Sequence, residues 1–397
     1  MSVNHRLMTV SAGVAVLLTL ILPAQNAPVS KESGTVTVRD PGPTYRQQSW
    51  IDGHNDHKWE EHVITLDNGK VCYAVKYTAC VDPSHPDKRA LEEGYIGMPS
   101  PCAANWYHSG FFFIKVNGQE IGELPMAHMR IIEAGTRGAC QMVWDTSAAA
   151  VRVQFLALPG GDRLLSQVTW RVKPGRTVTS VSAHFRCYPS FFTTYHQRQG
   201  DRTVTTPRAE RHEPETLDLV PAADTFLLYT DGVFDVAKKE GDGPCAMLFL
   251  PEEIASGKVQ LASYSVNTYL EARPEAKRLR FTFWDFAGRV NADARAYLEA
   301  NAARMQEELR QVEFRSESMA KFDPAATKAE TDKLLSGAGE DGASVKDRIE
   351  QLVLQMTDLK AKADAGDWSA DAKFVDLASE CEVLTLKLKI FALLNAP

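Results

Sequence analysis

The chain lacks the short motifs that would assign it to a common class of enzyme. No two of its seven cysteines stand as Cys-x-x-Cys, which excludes thioredoxin-like redox chemistry and the common zinc ribbons. There is also no P-loop, no Rossmann glycine fingerprint, no Gly-x-Ser-x-Gly and no His-Glu-x-x-His. We therefore predict no cofactor.

Positive charge is in short supply relative to negative charge. Lys and Arg number 44 against 51 Asp and Glu, which gives a formal net charge of −7. No basic stripe stands out along the chain. Because binding to nucleic acid depends on clustered cations that neutralise phosphates, we expect no nucleic-acid partner.

Long apolar runs are limited to the N-terminus, where residues 7–22 read "LMTVSAGVAVLLTLIL". A short cationic start, this run and the small Ala24 are typical of a secretory signal peptide. We predict a signal peptide over residues 1–24 and an exported protein, periplasmic or extracellular. An uncleaved anchor is the alternative, although the run is shorter than the ~20 residues of a membrane span. No stable membrane insertion is expected after cleavage.

The seven cysteines could form disulfides if the protein is exported. Their odd number leaves at least one thiol unbridged or bridged to another chain. Cys80 and Cys102 flank a loop rich in Pro and Gly and are the favoured bridge. Cys187 and Cys381 fall on apolar faces, which predicts buried thiols.

Apolar residues alternate with polar ones in segment after segment from about 60 to 288. Turn signals separate these segments, such as "DNG" at 67–69 and Asn117-Gly118. No segment of helical period interrupts them, which excludes parallel βαβ folds. We predict a mainly β protein with a large antiparallel β-sandwich, similar in layout to a supersandwich, over residues 46–290. A flexible lead-in is predicted for residues 25–45.

The apolar period changes from two to about three and a half at Asn291. This predicts an α-helical C-terminal unit over 291–397, with a coiled-coil-like hairpin at 344–394. The last helix carries a second apolar stripe, formed by Leu386, Ile390, Leu393 and Leu394. Such a stripe needs a partner. The partner is either the first helix of the unit or another subunit, so a homo-oligomer through these helices stays open.

Residues 50–62, "WIDGHNDHKWEEH", contain His54, His57 and His62. The string "IDGHND" resembles the start of the zinc dipeptidase barrel, where a pair equivalent to His54 and Asp56 would bind metal. That family needs a (β/α)₈ barrel, and this chain lacks the alternating helices. We interpret the stretch as a polar loop that leads into a strand, and predict no metal site.

A second polar cluster lies at 188–215, between predicted strands. Long polar connections on a rigid β scaffold often carry binding residues. Its candidate residues are Tyr188, Tyr195, His196, Arg198, Arg208, Arg211, His212 and Glu213. Aromatic rings with Arg and carboxylate groups suit a sugar, because rings stack on it and the charged groups bond to its hydroxyls.

Two strands have outward polar rows that could extend this surface. One row is Gln167, Thr169 and Arg171, and the other is His184, Arg186 and Tyr188. If the two strands are neighbours, they line one sheet face with hydrogen-bonding groups. The alternative is a plain solvated face with a mobile hairpin.

Four segments between 110 and 290 carry a family resemblance: "VQFLALPGGDRLLSQVTWRV", "CYPS", "GPCAMLFLPEE" and "RFTFWDFAGRVNADA". They resemble a group of uncharacterised secreted bacterial β-sandwich proteins, and more distantly the galactose-mutarotase-like supersandwich of sugar epimerases and polysaccharide lyases. In mutarotases a His and a Glu act as general acid and base. The resemblance would place them among His128, His184 or His196 and Glu213, Asp231 or Asp285.

The leading hypothesis is recognition or processing of carbohydrate on a polar sheet face rimmed by the 190–215 loop. If the protein is an enzyme, His196 or His184 would carry the proton and Glu213 would assist. Arg186, Tyr188, Tyr195, Arg198, Arg208, Arg211 and His212 would bind the sugar. The competing hypothesis is a non-catalytic scaffold or interaction protein of the cell envelope that assembles through its C-terminal helices.

Overall fold

The computed structural model describes residues 34–47, 58–81, 94–189, 201–232, 243–262, 265–286, 288–338 and 342–395. Within these ranges the protein is mainly β, with more strand than helix. The predicted fold class is confirmed.

Twenty strands precede the first α-helix in the described ranges. The first ten are β1 (Thr37–Arg39), β2 (Thr44–Gln47), β3 (Lys58–Asp67), β4 (Cys72–Cys80), β5 (Tyr95–Ser100), β6 (Phe112–Val116), β7 (Gln119–Glu120), β8 (Met126–Glu133), β9 (Gly138–Asp145) and β10 (Ala149–Ala157). The others are β11 (Leu164–Val172), β12 (Val181–Cys187), β13 (Arg202–Thr205), β14 (Glu210–His212), β15 (Thr216–Leu219), β16 (Phe226–Asp231), β17 (Cys245–Phe249), β18 (Ile254–Leu261), β19 (Val266–Ala272) and β20 (Arg278–Asp285).

These strands form two antiparallel sheets in the described part of the chain. Sheet A has eleven strands in the order β1-β3-β4-β5-β6-β12-β19-β18-β15, with β2 beside β3 and β7 beside β6. Sheet B has nine strands in the order β14-β13-β16-β17-β20-β11-β10-β9-β8. The chain passes between the sheets several times, as it does between β11 in sheet B and β12 in sheet A.

The inward faces of the two sheets form the main core. Alternate residues of each strand point into it, as the period of two predicts. Phe112 and Phe185 stack at 4.6 Å between ring centroids, and Phe281 of the opposite sheet meets Phe185 edge-on at 4.8 Å. This packing of rings from both sheets holds the sandwich together through burial of apolar area.

Two of the predicted hairpins are present in the structure. β3 pairs with β4 across the "DNG" turn, and β6 pairs with β7 across Asn117 and Gly118. Asn117 and Gly118 have φ angles of 51° and 81°, the left-handed backbone that a tight two-residue turn requires and that Asn and Gly tolerate best. Within the lead-in predicted over 25–45, β1 and the first residues of β2 pair with β3, while residues 25–33 lie outside the described ranges.

Five α-helices follow the strands within the described ranges. They are α1 (Asn291–Gln311), α2 (Glu317–Lys321), α3 (Pro324–Ala338), α4 (Gly342–Asp364) and α5 (Trp368–Leu394). None of the described helices is long and apolar enough to pass through a bilayer. The predicted hairpin corresponds to α4 and α5, which pack together and against α3.

The helices lie on the outer face of sheet B. α1 buries Leu298, Met305 and Leu309 against outward residues of the sheet such as Leu248 and Trp284. α5 contacts the edge strand β8. A separate apolar cluster holds α2 to α5 together. Sheet B is therefore covered on both faces.

Candidate functional site

The outer face of sheet A carries a row of chemically active side chains, called here the His184 row. Cross-strand pairing in β6, β12, β19, β18 and β15 aligns its members in register. The row runs Phe113, His184, Tyr269, Lys258 and Asp218. Because strands lie about 4.8 Å apart, the row spans roughly 19 Å.

His184, the second residue of the row, stands between two aromatic rings. Its ring is 5.1 Å from the ring of Phe113 and 4.4 Å from the ring of Tyr269, with interplanar angles of 22° and 11°. Lys258 Nζ lies 5.4 Å from the centroid of Tyr269. The rings stack on one another and present their edges outward, so the row offers polar edges and not an open aromatic platform.

A second row, called here the Arg186 row, runs beside the first. Register places Arg186, Asn267, Gln260 and Thr216 next to one another on β12, β19, β18 and β15. The Arg186 guanidinium carbon lies 5.1 Å from the centroid of Phe113, a cation–π contact that joins the two rows. Together these rows are called the open face.

Hydrogen bonds orient the polar groups of the open face. His184 Nε2 donates to Asn267 Oδ1 at 3.0 Å, and Asn267 Nδ2 donates to Ser265 Oγ at 2.9 Å. These two bonds place the proton of a neutral His184 on Nε2 and leave Nδ1 as an acceptor.

The imidazole of His184 is a poor proton donor at neutral pH. Burial, with the nearby charges of Arg186 and Lys115, lowers the pKa of His184 to about 4, although the bond that His184 donates to Asn267 acts in the opposite direction. At pH 7 the ring is neutral. The bond to Asn267 and the stacking on Phe113 and Tyr269 favour a fixed ring that recognises hydrogen-bond donors over one that transfers protons.

The polar row on β11 does not join the open face, so the condition that β11 and β12 be neighbours is not met. β11 lies in sheet B, and its outward row faces the C-terminal helices. Gln167 bonds to Gln154, which donates to the carbonyl of Phe314 at 3.0 Å, and Arg171 donates to the carbonyl of Ala365 at 2.8 Å. These side chains are structural, since they satisfy helix and connector carbonyls.

Tyr188 is buried, and its predicted place on the outward face is wrong. β12 ends at Cys187, so the alternation stops one residue earlier. Tyr188 is 2% exposed and packs on Tyr107 at 4.5 Å between centroids, beside Cys102. A buried ring in this position packs at the end of β12 and offers no surface to a ligand.

Arg208 is held in an ion pair. Its Nη2 lies 2.8 Å from Asp224 Oδ2, and Asp224 also accepts bonds from Thr206 Oγ1 and the Val220 amide. Burial alone would raise the pKa of Asp224, but these donors hold it below its usual range. Arg208 therefore anchors the turn before β16.

His212, Arg211 and Glu213 lie at an edge of the sandwich, away from His184. Part of the predicted loop is in fact the hairpin β13–β14, at the edge of sheet B. His212 Nδ1 lies 2.6 Å from Asp201 Oδ2, and Arg211 Nε lies 3.7 Å from Glu215. β12 and β15 are separated by two strands of sheet A, so the structure does not bring Glu213 to His184.

Several predicted residues fall outside the described ranges. These are Tyr195, His196 and Arg198 of the polar cluster, and His54 and His57 of the opening stretch. His62 is described, and its Nε2 lies 2.7 Å from Asp40 Oδ1. Among the described residues no group of three or more His, Cys, Asp or Glu could hold a metal ion.

The other residues implied by the mutarotase resemblance are dispersed. His128 contacts Gln141 on sheet B beneath α5, at 3.1 Å. Asp231 is buried near Arg202, and Asp285 accepts a bond from Asn105. No pair of them stands across a common opening in the described structure, so no acid–base pair is assembled from this set.

Seven residues of the open face were missed from the sequence. They are Phe113, Thr216, Asp218, Lys258, Gln260, Asn267 and Tyr269. Lys258, Asn267 and Tyr269 lie on β18 and β19, which pair as a hairpin. Alternation was visible on both sides of residues 262–265, but that turn contains no Gly or Pro to mark it.

Comparison with known proteins gives weak similarity only. The chain matches no protein-family model and no curated protein. It is similar to a GH36 α-galactosidase from Geobacillus stearothermophilus, with 10% identity and a TM-score of 0.31 over 57% of this chain and 40% of that one. It is also similar to a TPR-domain containing protein from Parabacteroides distasonis, with 9% identity and a TM-score of 0.38 over 65% and 56%.

A third similar structure is a protein of Escherichia coli K12 assigned as an aldose 1-epimerase. The identity is 7% and the TM-score 0.32, over 61% of this chain and 99% of that one. The chain thus spans less than two thirds of the first two proteins. Because all three TM-scores lie below 0.5, these likenesses carry no argument about what the present protein does.

Proposed function

We propose that this protein binds carbohydrate on the open face of sheet A without catalysing a reaction. The observation that carries the proposal is the alignment of oriented, hydrogen-bonding side chains in two adjacent rows on a face that the described helices leave uncovered. Arg186, Asn267, Gln260 and Lys258 provide donors and acceptors close to the edges of His184 and Tyr269.

The chemistry of these groups suits a polyhydroxylated ligand. Sugar hydroxyls both donate and accept, and the open face offers the Arg186 and Lys258 donors, the amides of Asn267 and Gln260, and the Nδ1 acceptor of His184. The stacked rings hold these groups in place, so little side-chain entropy is lost on binding.

Binding is favoured over catalysis because the described residues of the open face include no proton-transfer pair. His184 is neutral at pH 7, and its Nε2 is engaged by an amide and not by a carboxylate. General acid–base chemistry at a sugar carbon needs two groups with pKa values suited to giving and taking a proton. Export through the signal peptide at 1–24 is a further part of the proposal.

A glycan array on the mature protein tests the proposal, followed by calorimetry with the strongest binder. Arg186→Ala should weaken that affinity about tenfold or more, since a hydrogen bond to a charged group contributes about 1.5–3 kcal/mol. Arg171→Ala is the matched control, because Arg171 extends from a sheet but faces the helices. A wild-type protein that binds no glycan, or an equal loss in both variants, would contradict the proposal.

A second candidate function, self-association, is favoured by an exposed apolar stripe on α5. Val383, Leu386, Ile390, Leu393 and Leu394 are 47–76% exposed and follow one side of the helix. If the stripe packed on another helix of the same chain, Leu386 and Ile390 would be covered. They are exposed instead, although α3 and α4 pack against α5. Such a stripe is typical of a surface that meets a partner.

Charges beside the stripe fit a second copy of the same helix in antiparallel orientation. Glu382 and Lys389 are both exposed and two turns apart on the same border of the stripe. In an antiparallel pair with twofold symmetry, the same border of each helix faces its equivalent. Glu382 of each copy then lies beside Lys389 of the other copy, which gives two equivalent ion pairs.

Sedimentation equilibrium with charge-swap variants tests this candidate. Glu382→Lys and Lys389→Glu should each weaken association, and the double variant should restore it. Leu386→Glu should abolish association, while Leu354→Glu, at an exposed leucine of α4 outside the stripe, should leave it unchanged. A wild-type protein that stays monomeric at high micromolar concentration would rule the candidate out.

A further inference from the structure

Two cysteines from opposite sheets meet inside the sandwich. Cys187 ends β12 in sheet A and Cys245 begins β17 in sheet B. Both point into the inter-sheet core, where they are 1% and 0% exposed. All seven cysteines are present as thiols in the structure, so neither this pair nor the predicted pair Cys80 and Cys102 is bridged there. Cys102 lies beside Tyr188, the neighbour of Cys187.

Contacts of Asn105 and Trp106 show that Cys187 and Cys245 lie in the same part of the core. The carbonyl of Asn105 accepts from the Tyr188 amide at 3.2 Å and from Cys245 Sγ at 3.9 Å. One carbonyl therefore contacts both the residue next to Cys187 and the thiol of Cys245. Trp106, the residue after Asn105, forms a β-bridge with Cys187.

The sheets are also linked by a hydrogen bond at the same level. Tyr229 pairs with Cys245 in sheet B, and its hydroxyl lies 2.7 Å from Thr268 Oγ1 in sheet A. Thr268 is two residues from Val266, which pairs with Cys187. A cross-sheet contact thus lies one strand away from each cysteine.

We propose that Cys187 and Cys245 form a disulfide that joins the two sheets when the chain folds in the presence of a disulfide oxidant. The two thiols lose two protons and two electrons and form the S–S bond. The oxidant, a small-molecule or protein disulfide, takes up both and leaves as two thiols. Inter-sheet disulfides of this kind occur in other β-sandwiches.

The bond forms during folding and not after it. Burial, followed by the interaction with Cys187, raises the pKa of the Cys245 thiol, so little thiolate exists in the folded state. Because the thiolate is the reactive form, a disulfide oxidant added to the folded, reduced protein reacts slowly.

Peptide mapping of the full chain tests the proposal. The protein is refolded with a mixture of oxidised and reduced glutathione, alkylated under denaturing conditions and digested. We expect a peptide that contains Cys187 linked to Cys245, and a melting temperature several degrees above that of protein refolded with reductant. Both cysteines alkylated in full, or a bridge from either to Cys102, would overturn the proposal.

Two cysteine variants distinguish stabilisation by the disulfide from stabilisation by packing of the cysteine side chains. Cys187→Ala should remove the difference in melting temperature between oxidised and reduced preparations. Cys140→Ala, at another fully buried core position, should lower both melting temperatures and keep the difference between them. A difference that survives in Cys187→Ala would contradict the proposal, and the mapping of the wild-type protein decides the question if that variant does not fold.

Discussion

β11 and β12 look alike in the sequence and end in opposite surroundings. Each has apolar residues at alternate positions and a polar row between them. β11 lies in sheet B, where Gln167 and Arg171 bond to groups beneath or beside the helices. β12 lies in sheet A, where His184 and Arg186 face outward from the sandwich. The same local pattern therefore serves structure in one strand and a candidate binding surface in the other.

The difference comes from what packs on each sheet. Outward positions in sheet B alternate between apolar residues such as Trp284, which meet α1, and polar residues that satisfy backbone carbonyls of the helical unit. A buried polar group must be bonded or it costs free energy. In sheet A the outward groups bond mainly to one another, which keeps them oriented and leaves donors and acceptors toward the outside.

The largest expected loss of unfolding free energy is for a residue of sheet B that the helices cover. Trp284 is fully buried between sheet B and α1. Trp284→Ala should lower the free energy of unfolding by about 3–5 kcal/mol, because it leaves a cavity. Tyr269→Ala on the open face should lower it by about 1 kcal/mol. Urea unfolding measures both, and equal losses would show that the two faces are not distinct.

A buried ion pair offers the next largest effect. Arg280 donates to Glu253 Oε1 at 2.8 Å and also to the carbonyls of Leu309 and Arg310 at the end of α1. Arg280→Met should cost about 3 kcal/mol, since it strands a buried carboxylate. The double variant Arg280→Met with Glu253→Gln should recover part of the loss. A single variant as stable as wild type would show that the pair does not hold α1 to sheet B.

The pH dependence of stability should report on the open face. The pKa of His184 is about 4 in the folded protein, below the ordinary value of about 6.5 that the unfolded chain has. Between these values the unfolded state binds more protons, so stability falls as pH falls from 6.5 to 4 and is constant with respect to this group above 6.5. By pH 4.5 the loss from His184 should be about 2 kcal/mol.

His184→Gln should reduce this acid-induced loss by the same amount. Other histidines contribute in the same direction, since burial also lowers the pKa of His128. The comparison is therefore between the unfolding free energies of wild type and variant at pH 7 and pH 4.5. An identical pH dependence in both proteins would mean that His184 is not shielded as described.

The smallest effect on stability is expected for Arg186. Its contact with Phe113 is a cation–π interaction at a partly exposed site, where such contacts contribute about 0.5–1 kcal/mol. The free energy of unfolding of Arg186→Ala should therefore lie within about 1 kcal/mol of the wild-type value, while its affinity for the proposed ligand is lost. Arg152→Ala is the counterpart on the covered face, where the guanidinium bonds to Asp371 at 2.8 Å, and it should cost more. A larger loss of unfolding free energy in Arg186→Ala than in Arg152→Ala would contradict this expectation.

The architecture could be predicted because its signals are local. The hairpin at Asn117-Gly118 needs two residues that accept a positive φ angle, and the change of period at Asn291 is visible within a few turns of helix. The candidate site could not be predicted in the same way. Arg208 looks like a ligand-binding arginine, and only the position of Asp224, which follows on a later turn, shows that it is a structural anchor.

The order of the elements, strands first and helices afterwards, could be read from the chain, because the spacing of apolar residues within one element records which face is buried. The residues that alternate on each strand could be read in the same way. Three outcomes became known only from the folded molecule: the sheet that each strand joins, the face that the helices cover, and the closeness of Cys187 to Cys245. Those outcomes depend on contacts between residues far apart in the chain. The spacing of apolar residues within one element carries no information about such contacts.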